Sequence, residues 1–203
     1  MPAPVRAASA ERAQGHTDPA NADPAYTDPE NPDPESTARL IALRLLDAQP
    51  RTRVELERAL ARRGVPTDAA TAVLDRFAEV GLIDDEAFAQ AWVTSRHAGR
   101  GLGRRALTVE LQRRGVDAET IGEAVSAVSA EDEEVAARAL VSRRLRTVSG
   151  LPRETARRRL VGMLARRGFS QALAARVVDA SLSDQAMGPV PGDWAPDDPA
   201  ISR

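Results

Sequence analysis

Leu107-Thr-Val-Glu-Leu111-Gln-Arg-Arg-Gly115-Val116 decides the fold, because the same word stands at two other places in the chain. It is preceded by Leu56-Glu-Arg-Ala-Leu60-Ala-Arg-Arg-Gly64-Val65 and followed by Leu160-Val-Gly-Met-Leu164-Ala-Arg-Arg-Gly168-Phe169. The three glycines are 51 and 53 residues apart, the near-constant period of an internal repeat. Each word reads as the end of a helix. Two leucines four apart stack on one face, and arginine in the last turn suits the helix dipole. A glycine just past the end accepts the left-handed conformation that closes it.

Working outward from the words, cap signals and apolar periodicity supply two more helices per unit. Thr52-Arg-Val-Glu55 is a capping box ahead of the first word. After the words, Thr67, Asp117 and Ser170 stand at matching cap positions. They precede Val73/Leu74/Phe77/Val80, Ile121/Val125/Val128 and Leu173/Val177/Val178 at helical spacing. A further helix opens each unit. The first carries Leu40, Ile41, Leu43, Leu45 and Leu46, and the second starts at Asp84 or Asp85 and carries Phe88, Trp92 and Val93. The third is capped by Ser129 ahead of an acidic first turn and Val135, Leu140, Val141 and Leu145. No stretch reads as a strand. The expected fold class is all-α: three tandem three-helix repeats, 37–83, 84–129 and 130–182, forming an elongated, curved helical array.

Composition agrees. The 203 residues hold six aromatics, no cysteine and two histidines, His16 and His97. Disulfides, thiolate metal sites and a cysteine nucleophile are excluded, as is a histidine-rich metal site. A core so poor in aromatics is built from Leu, Val, Ile and Ala. No apolar run approaches the ~20 residues of a membrane span, and no leader pattern opens the chain, so a cytoplasmic protein is expected. Seven prolines fall in residues 1–37, four of them in Asp-Pro steps between Asp18 and Pro34, and four fall after residue 188. Residues 1–36 and 183–203 are therefore expected to be disordered acidic tails. Trp194 stands alone in the second, read as a chance aromatic more readily than as a docking residue.

Charge is segregated. Residues 1–37 carry two Arg against seven acids, 38–182 carry 25 against 19, and 183–203 carry one against four. Within the body the last repeat is the most basic, with eleven Arg against six acids over 130–182. Every cation is Arg, so any anion contact uses a planar five-donor fork. Taking the two leucines of each word as the buried face, the first Arg of each pair (Arg62, Arg113, Arg166) falls about 140° away, facing out. Arg105, Arg158 and Arg159 also point outward. These six are the candidate contacts for phosphates or an acidic protein groove, set against the plainer reading of a solvated face. The second Arg of each pair falls near the apolar edge, where capping or snorkelling is expected.

No catalytic, cofactor-binding or metal-ligating constellation is assigned. His97 reads as a surface histidine at a helix end, and Asp84-Asp85-Glu86 as a cap with first-turn carboxylates. Gly99-Arg-Gly101-Leu-Gly103 lacks the Lys-Ser/Thr ending and strand context of a phosphate loop and reads as a flexible hinge. With few aromatics, nucleic-acid binding would be backbone-directed, salt-sensitive and weakly sequence-selective.

The segment Val80-Gly-Leu-Ile-Asp-Asp-Glu-Ala-Phe-Ala89, then Gly101-Leu-Gly-Arg-Arg and the second word, resembles the RecX family of RecA regulators. The resemblance covers residues 38–182. It implies a monomeric, curved all-helical protein that lies in the groove of the RecA–DNA filament. Such proteins modulate RecA, usually restraining ATP hydrolysis, strand exchange and LexA cleavage in recombination, repair and the SOS response. It also implies DNA affinity and no catalytic residue or cofactor. Two positions depart from the family pattern: Gln49 where Arg is common and Thr52 where Ser is common. The acidic Asp-Pro extension is outside the shared core, and competition with DNA for the basic body is one role for it. Two other classes remain: a helix-turn-helix-like DNA-binding regulator, and a helical-repeat scaffold that binds no nucleic acid.

Overall fold

The computed structural model describes residues 33–186, and among these there are nine helices and no strand. They are α1 (Pro34–Ala48), α2 (Arg53–Ala61), α3 (Thr67–Glu79), α4 (Asp85–Arg100), α5 (Arg104–Arg114), α6 (Ala118–Ser126), α7 (Ala130–Val148), α8 (Arg153–Arg166) and α9 (Gln171–Ala186).

Most helix starts are set by the residue ahead of them. Thr52 Oγ1 accepts the Glu55 amide at 3.2 Å while the Glu55 carboxylate accepts the Thr52 amide at 3.3 Å, a complete capping box. Ser129 and Asp132 form a second one ahead of α7. Asp84 caps α4 through the Ala87 amide at 2.8 Å, and Asp117 caps α6 through the Glu119 and Thr120 amides. Ser170 Oγ accepts the Leu173 amide at 3.2 Å.

Three starts and ends differ from expectation. Thr67 is the first helical residue and Pro66 the cap, with no side-chain bond: proline's fixed φ sets the entry where a hydroxyl was expected. Asp33-Pro34 is not tail. Asp33 accepts the Glu35 and Ser36 amides, and Pro34 occupies the first helical position, where its missing N–H costs nothing. At the other end α9 runs on to Ala186, past Leu182. The rest of both expected tails, residues 1–32 and 187–203, lies outside the described residues.

Each set of three helices closes its own core. Leu56, Leu60, Leu74 and Phe77 fill the first, Leu107, Leu111, Ile121 and Phe88 the second, and Leu160, Leu164, Phe169 and Val177 the third. The two leucines of every word are at most 2% exposed, so each word anchors its unit. Truncating any of them to Ala would cost about 2–5 kcal/mol.

The units meet end to end through backbone. At the first joint, Thr52 Oγ1, wholly buried, donates to the Arg114 carbonyl at 2.6 Å, and Arg58 reaches the Arg113 carbonyl. The start of α2 thus sits on the end of α5. At the second joint the Gly103 amide donates to the Arg167 carbonyl at 2.8 Å, and the Arg105 amide to the Gly168 carbonyl at 3.2 Å. The start of α5 sits in the same way on the end of α8. The glycine run expected to be a flexible hinge is therefore part of this joint. A Cβ on Gly103 would lie 2.7 Å from the Gly168 carbonyl carbon, so the close approach requires glycine.

Gly64, Gly115 and Gly168 all hold positive φ, at 76°, 87° and 86°. Their surroundings differ. Around Gly64 a Cβ would meet nothing within 4 Å, at Gly115 it would lie 2.5 Å from Val54 Cβ, and at Gly168 it would overlap Ala106. Gly64→Ala should therefore cost only the backbone strain, about 1 kcal/mol, while Gly115→Ala and Gly168→Ala should cost clearly more. Urea unfolding of the three variants checks this, and equal losses would mean that the joints do not depend on close approach.

Candidate functional site

All six arginines singled out from the sequence are exposed. The structure gathers three of them. Arg158, Arg159 and Arg166 of α8 join Arg144 of α7 around one groove of about 670 Å³, with Thr147, Val148, Leu160 and Met163 beside them. Arg62 lies at the end of α2, and Arg105 and Arg113 lie in the first and last turns of α5, outside this groove. None of these seven guanidinium groups forms an ion pair among the described residues. Helix phase explains the gathering, since residues 159, 162, 163 and 166 share one face of α8. Gly162 keeps that face low, and a Cβ there would stand 3.4 Å from an Arg166 amino nitrogen. Arg144 escapes sequence reasoning because the run Arg143-Arg144-Leu-Arg146 contains no word to fix its phase.

Neighbouring arginines are spent on structure. Arg53 pairs with Glu57 at 3.0 Å and Asp75 at 2.6 Å, and Arg157 holds Asp179 at 2.6 Å. Arg138 and Arg176 share Glu134. Arg157 and Arg176 hold the Asp179 and Glu134 carboxyls below the usual carboxylate range. The second Arg of each word serves as a cap or brace, as its phase suggested. Arg63 donates to the Ala59 carbonyl at 3.0 Å, Arg114 pairs with Glu55 at 2.7 Å, and Arg167 bonds the Arg100 carbonyl.

A second groove, about 500 Å³, lies between the first two units and contains Leu46, Gln49, Leu82, Phe88, Trp92, Arg51, Arg96 and Arg114. Trp92 stacks on Phe88 here, ring centres 5.7 Å apart, and this chain covers the indole itself. Arg114 lies 3.8 Å and Arg96 3.9 Å from its ring centre, and its indole N–H donates to Glu110 at 2.9 Å. A ring so engaged offers no free face for a base. Sequence reasoning counted Trp92 among the apolar positions of its helix; Arg96, four residues on, is within reach by spacing alone, but nothing in the sequence signals Arg114, 22 residues away, or Glu110.

The acidic and histidine motifs have local roles. His97 Nδ1 is 2.9 Å from the Leu102 carbonyl, at the end of α4. Asp84 caps α4, and Asp85 accepts the Arg53 amide at 3.0 Å across the first joint. Burial pushes the Asp85 carboxyl up, and that amide opposes the shift. Among the described residues no group of three His, Asp or Glu side chains is placed to hold a metal ion, and no helix is long and apolar enough to cross a membrane.

Three family models match the chain: the first three-helix domain of RecX over residues 38–77, the second over 84–125 and the third over 131–178. The regulatory protein RecX of Thermobifida fusca is 55% identical over 150 residues, covering 74% of this chain and 81% of that one. Its counterpart in Streptomyces coelicolor is 56% identical over 148 residues, covering 73% and 79%. The crystal structure of RecX from Lactobacillus salivarius superposes with a TM-score of 0.67 at 19% identity, over 76% of this chain and 98% of that one, a likeness of fold.

Because Arg158, Arg159 and Arg166 brace nothing in the described structure, reversing all three to Glu should leave far-UV circular dichroism unchanged and the melting midpoint within about 2 °C. Arg157→Glu, which sets a carboxylate against Asp179, should lower the midpoint. A triple variant that unfolds would give these side chains a structural role.

Proposed function

The chain belongs to the RecX family, and from that premise we propose that it binds the RecA–DNA filament and restrains it. Its role is regulatory. The observation that carries the reading is the groove on the last unit, where four guanidinium groups gather without carboxylate partners among the described residues. Four planar forks on one surface suit phosphodiesters or a carboxylate-rich protein groove, and each phosphate contact releases a counterion. Arg62, Arg105 and Arg113 would extend the contact to the other two units. Backbone-directed binding fits the covered Trp92 ring, which offers bases no free platform among the described residues.

The mechanism is steric and electrostatic. A monomer laid along the filament groove would bridge RecA subunits and phosphates, opposing the subunit rearrangements that accompany ATP turnover and strand exchange. Arg contacts would hold it, and the joints between its units would set the spacing of those contacts. The protein would act in the cytoplasm, on single- or double-stranded DNA coated by the recombinase.

Single-stranded-DNA-dependent ATP hydrolysis by the cognate RecA tests this. Intact protein should inhibit well below one copy per RecA subunit, less so as salt rises. The Arg158/Arg159/Arg166→Glu variant, folded as above, should lose the inhibition. On naked single strands it should also flatten the log–log salt dependence of binding by about 2, the share of three phosphate contacts. Full inhibition by the variant would remove this groove from the mechanism.

A further inference from the structure

The four-arginine groove has a candidate occupant within the same chain. Helix α9 returns along α8, so its last turn lies at the start of α8: Arg153 donates to the Leu182 carbonyl at 3.1 Å and to Ser183 Oγ at 3.0 Å. A small pocket lined by Leu182, Gln185 and Val148 adjoins the groove, which Val148 also lines. The chain thus leaves the described residues at Ala186, at the end of the unit where α8 begins; Arg153 and Arg157 face α9 there, and Arg158, Arg159 and Arg166 lie round the other side of α8. Past that point the sequence carries Asp193-Trp194-Ala-Pro-Asp197-Asp198, within a 17-residue segment holding three acids, one Arg and four prolines.

We propose that Asp193–Asp198 fold back onto the groove of Arg144, Arg158, Arg159 and Arg166 as a built-in anionic ligand, which phosphates must displace. This rests on the reading of that groove as an anion site, and it regulates the same site.

Reach permits it. Arg158 and Arg166 lie five and thirteen residues along α8 from Arg153, about 8 and 20 Å, and rounding the helix to their face adds about 10 Å. Seven residues from Ala186 to Asp193 span up to about 24 Å, and twelve to Asp198 up to about 40 Å. Charge is complementary, three carboxylates against four guanidinium groups. The indole has a matching place too. Met163, half-buried, gives the groove apolar surface, and guanidinium groups already close on Trp92 elsewhere in this molecule. Tethering at Ala186 supplies an effective concentration near the millimolar range, so a contact weak in isolation suffices. A contact of this kind opens as salt rises.

The difference in emission between the full chain and its Trp194→Phe variant isolates Trp194, and acrylamide quenching then reports its exposure. At low salt we expect quenching about twofold weaker than in a free peptide of residues 187–203. In about 0.5 M salt, and in the Arg158/Arg159/Arg166→Glu variant, it should return to the peptide value. Ending the chain at Ala186 should raise affinity for a fluorescent oligothymidylate by about three- to tenfold at low salt. Trp194 as quenchable as the free peptide, or protected equally in the reversed variant, overturns the proposal. So does a gain in affinity on removing residues 1–32 but none on removing 187–203. Should the oligonucleotide bind neither form while Trp194 is shielded by the groove arginines, the docking stands and the phosphate reading of the groove falls.

Discussion

The architecture depends on one interaction used twice: the C-terminal carbonyls of one middle helix receive the N-terminal donors of the middle helix before it. At the first joint the donor is the Thr52 hydroxyl and the acceptor the Arg114 carbonyl; at the second, the donors are the Gly103 and Arg105 amides and the acceptors the Arg167 and Gly168 carbonyls. Helix ends leave such groups without intrahelical partners, and here one orphan set satisfies another. The alignment also brings the positive end of one helix dipole to the negative end of the next. Because the three cores are separate, polar contacts at the joints hold the units in register, these backbone bonds together with Arg53–Asp85, Arg114–Glu55 and Arg104–Glu133. That is why the closing glycines must admit Val54 and Ala106 so closely.

This constraint sorts the arginines. Those near a joint become braces. Arg104 reaches the Val128 carbonyl and the Glu133 carboxylate, and Arg167 reaches the Arg100 carbonyl. Arg114 does most. Its guanidinium pairs with Glu55, lies over Trp92 and Phe88, and its own carbonyl takes Thr52. A compact ammonium could match one carboxylate, but it lacks the flat face that stacks on the ring. The arginine side chain just before Arg114 or Arg167, about 100° round the helix, serves no joint and stays exposed without an ion pair among the described residues.

The helices were legible in the sequence because caps and apolar spacing are local. Thr52-x-x-Glu55, Ser129 and Asp117 each act within one turn, and the paired leucines bury as their spacing requires. The joints were not legible. Arg-Arg-Gly reads correctly as a helix end, yet nothing in those letters says that a segment 62 residues away will sit on it, as Thr52 does on Arg114. The glycine run at 99–103 suggested freedom for the same reason: the residue that fixes Gly103 is Arg167, 64 positions on. Asp33-Pro34 misled differently. It is the last of four like steps, and it becomes a cap through the apolar helix after it rather than through the dipeptide itself. For the candidate site, outward phase was readable residue by residue. Convergence was not, since Arg144 comes from α7 and its place beside Arg158 depends on how two helices pack.

The column of middle helices has two unlike ends. At one, Arg62-Arg63-Gly64 repeats the word but carries no docked helix among the described residues: a Cβ on Gly64 would meet nothing within 4 Å, and Arg63 turns back to its own helix at Ala59. At the other, α8 begins at Pro152, which has no hydroxyl and no N–H and makes no side-chain cap bond. Position 152 therefore offers neither of the donors that Thr52 and Gly103 supply. The first turn there is engaged instead with α9, through Arg153 and the Leu182 carbonyl. The same joint chemistry that links three units thus stops at the third. Among the described residues the last unit has no successor to brace, and it is there that arginines without ion pairs gather.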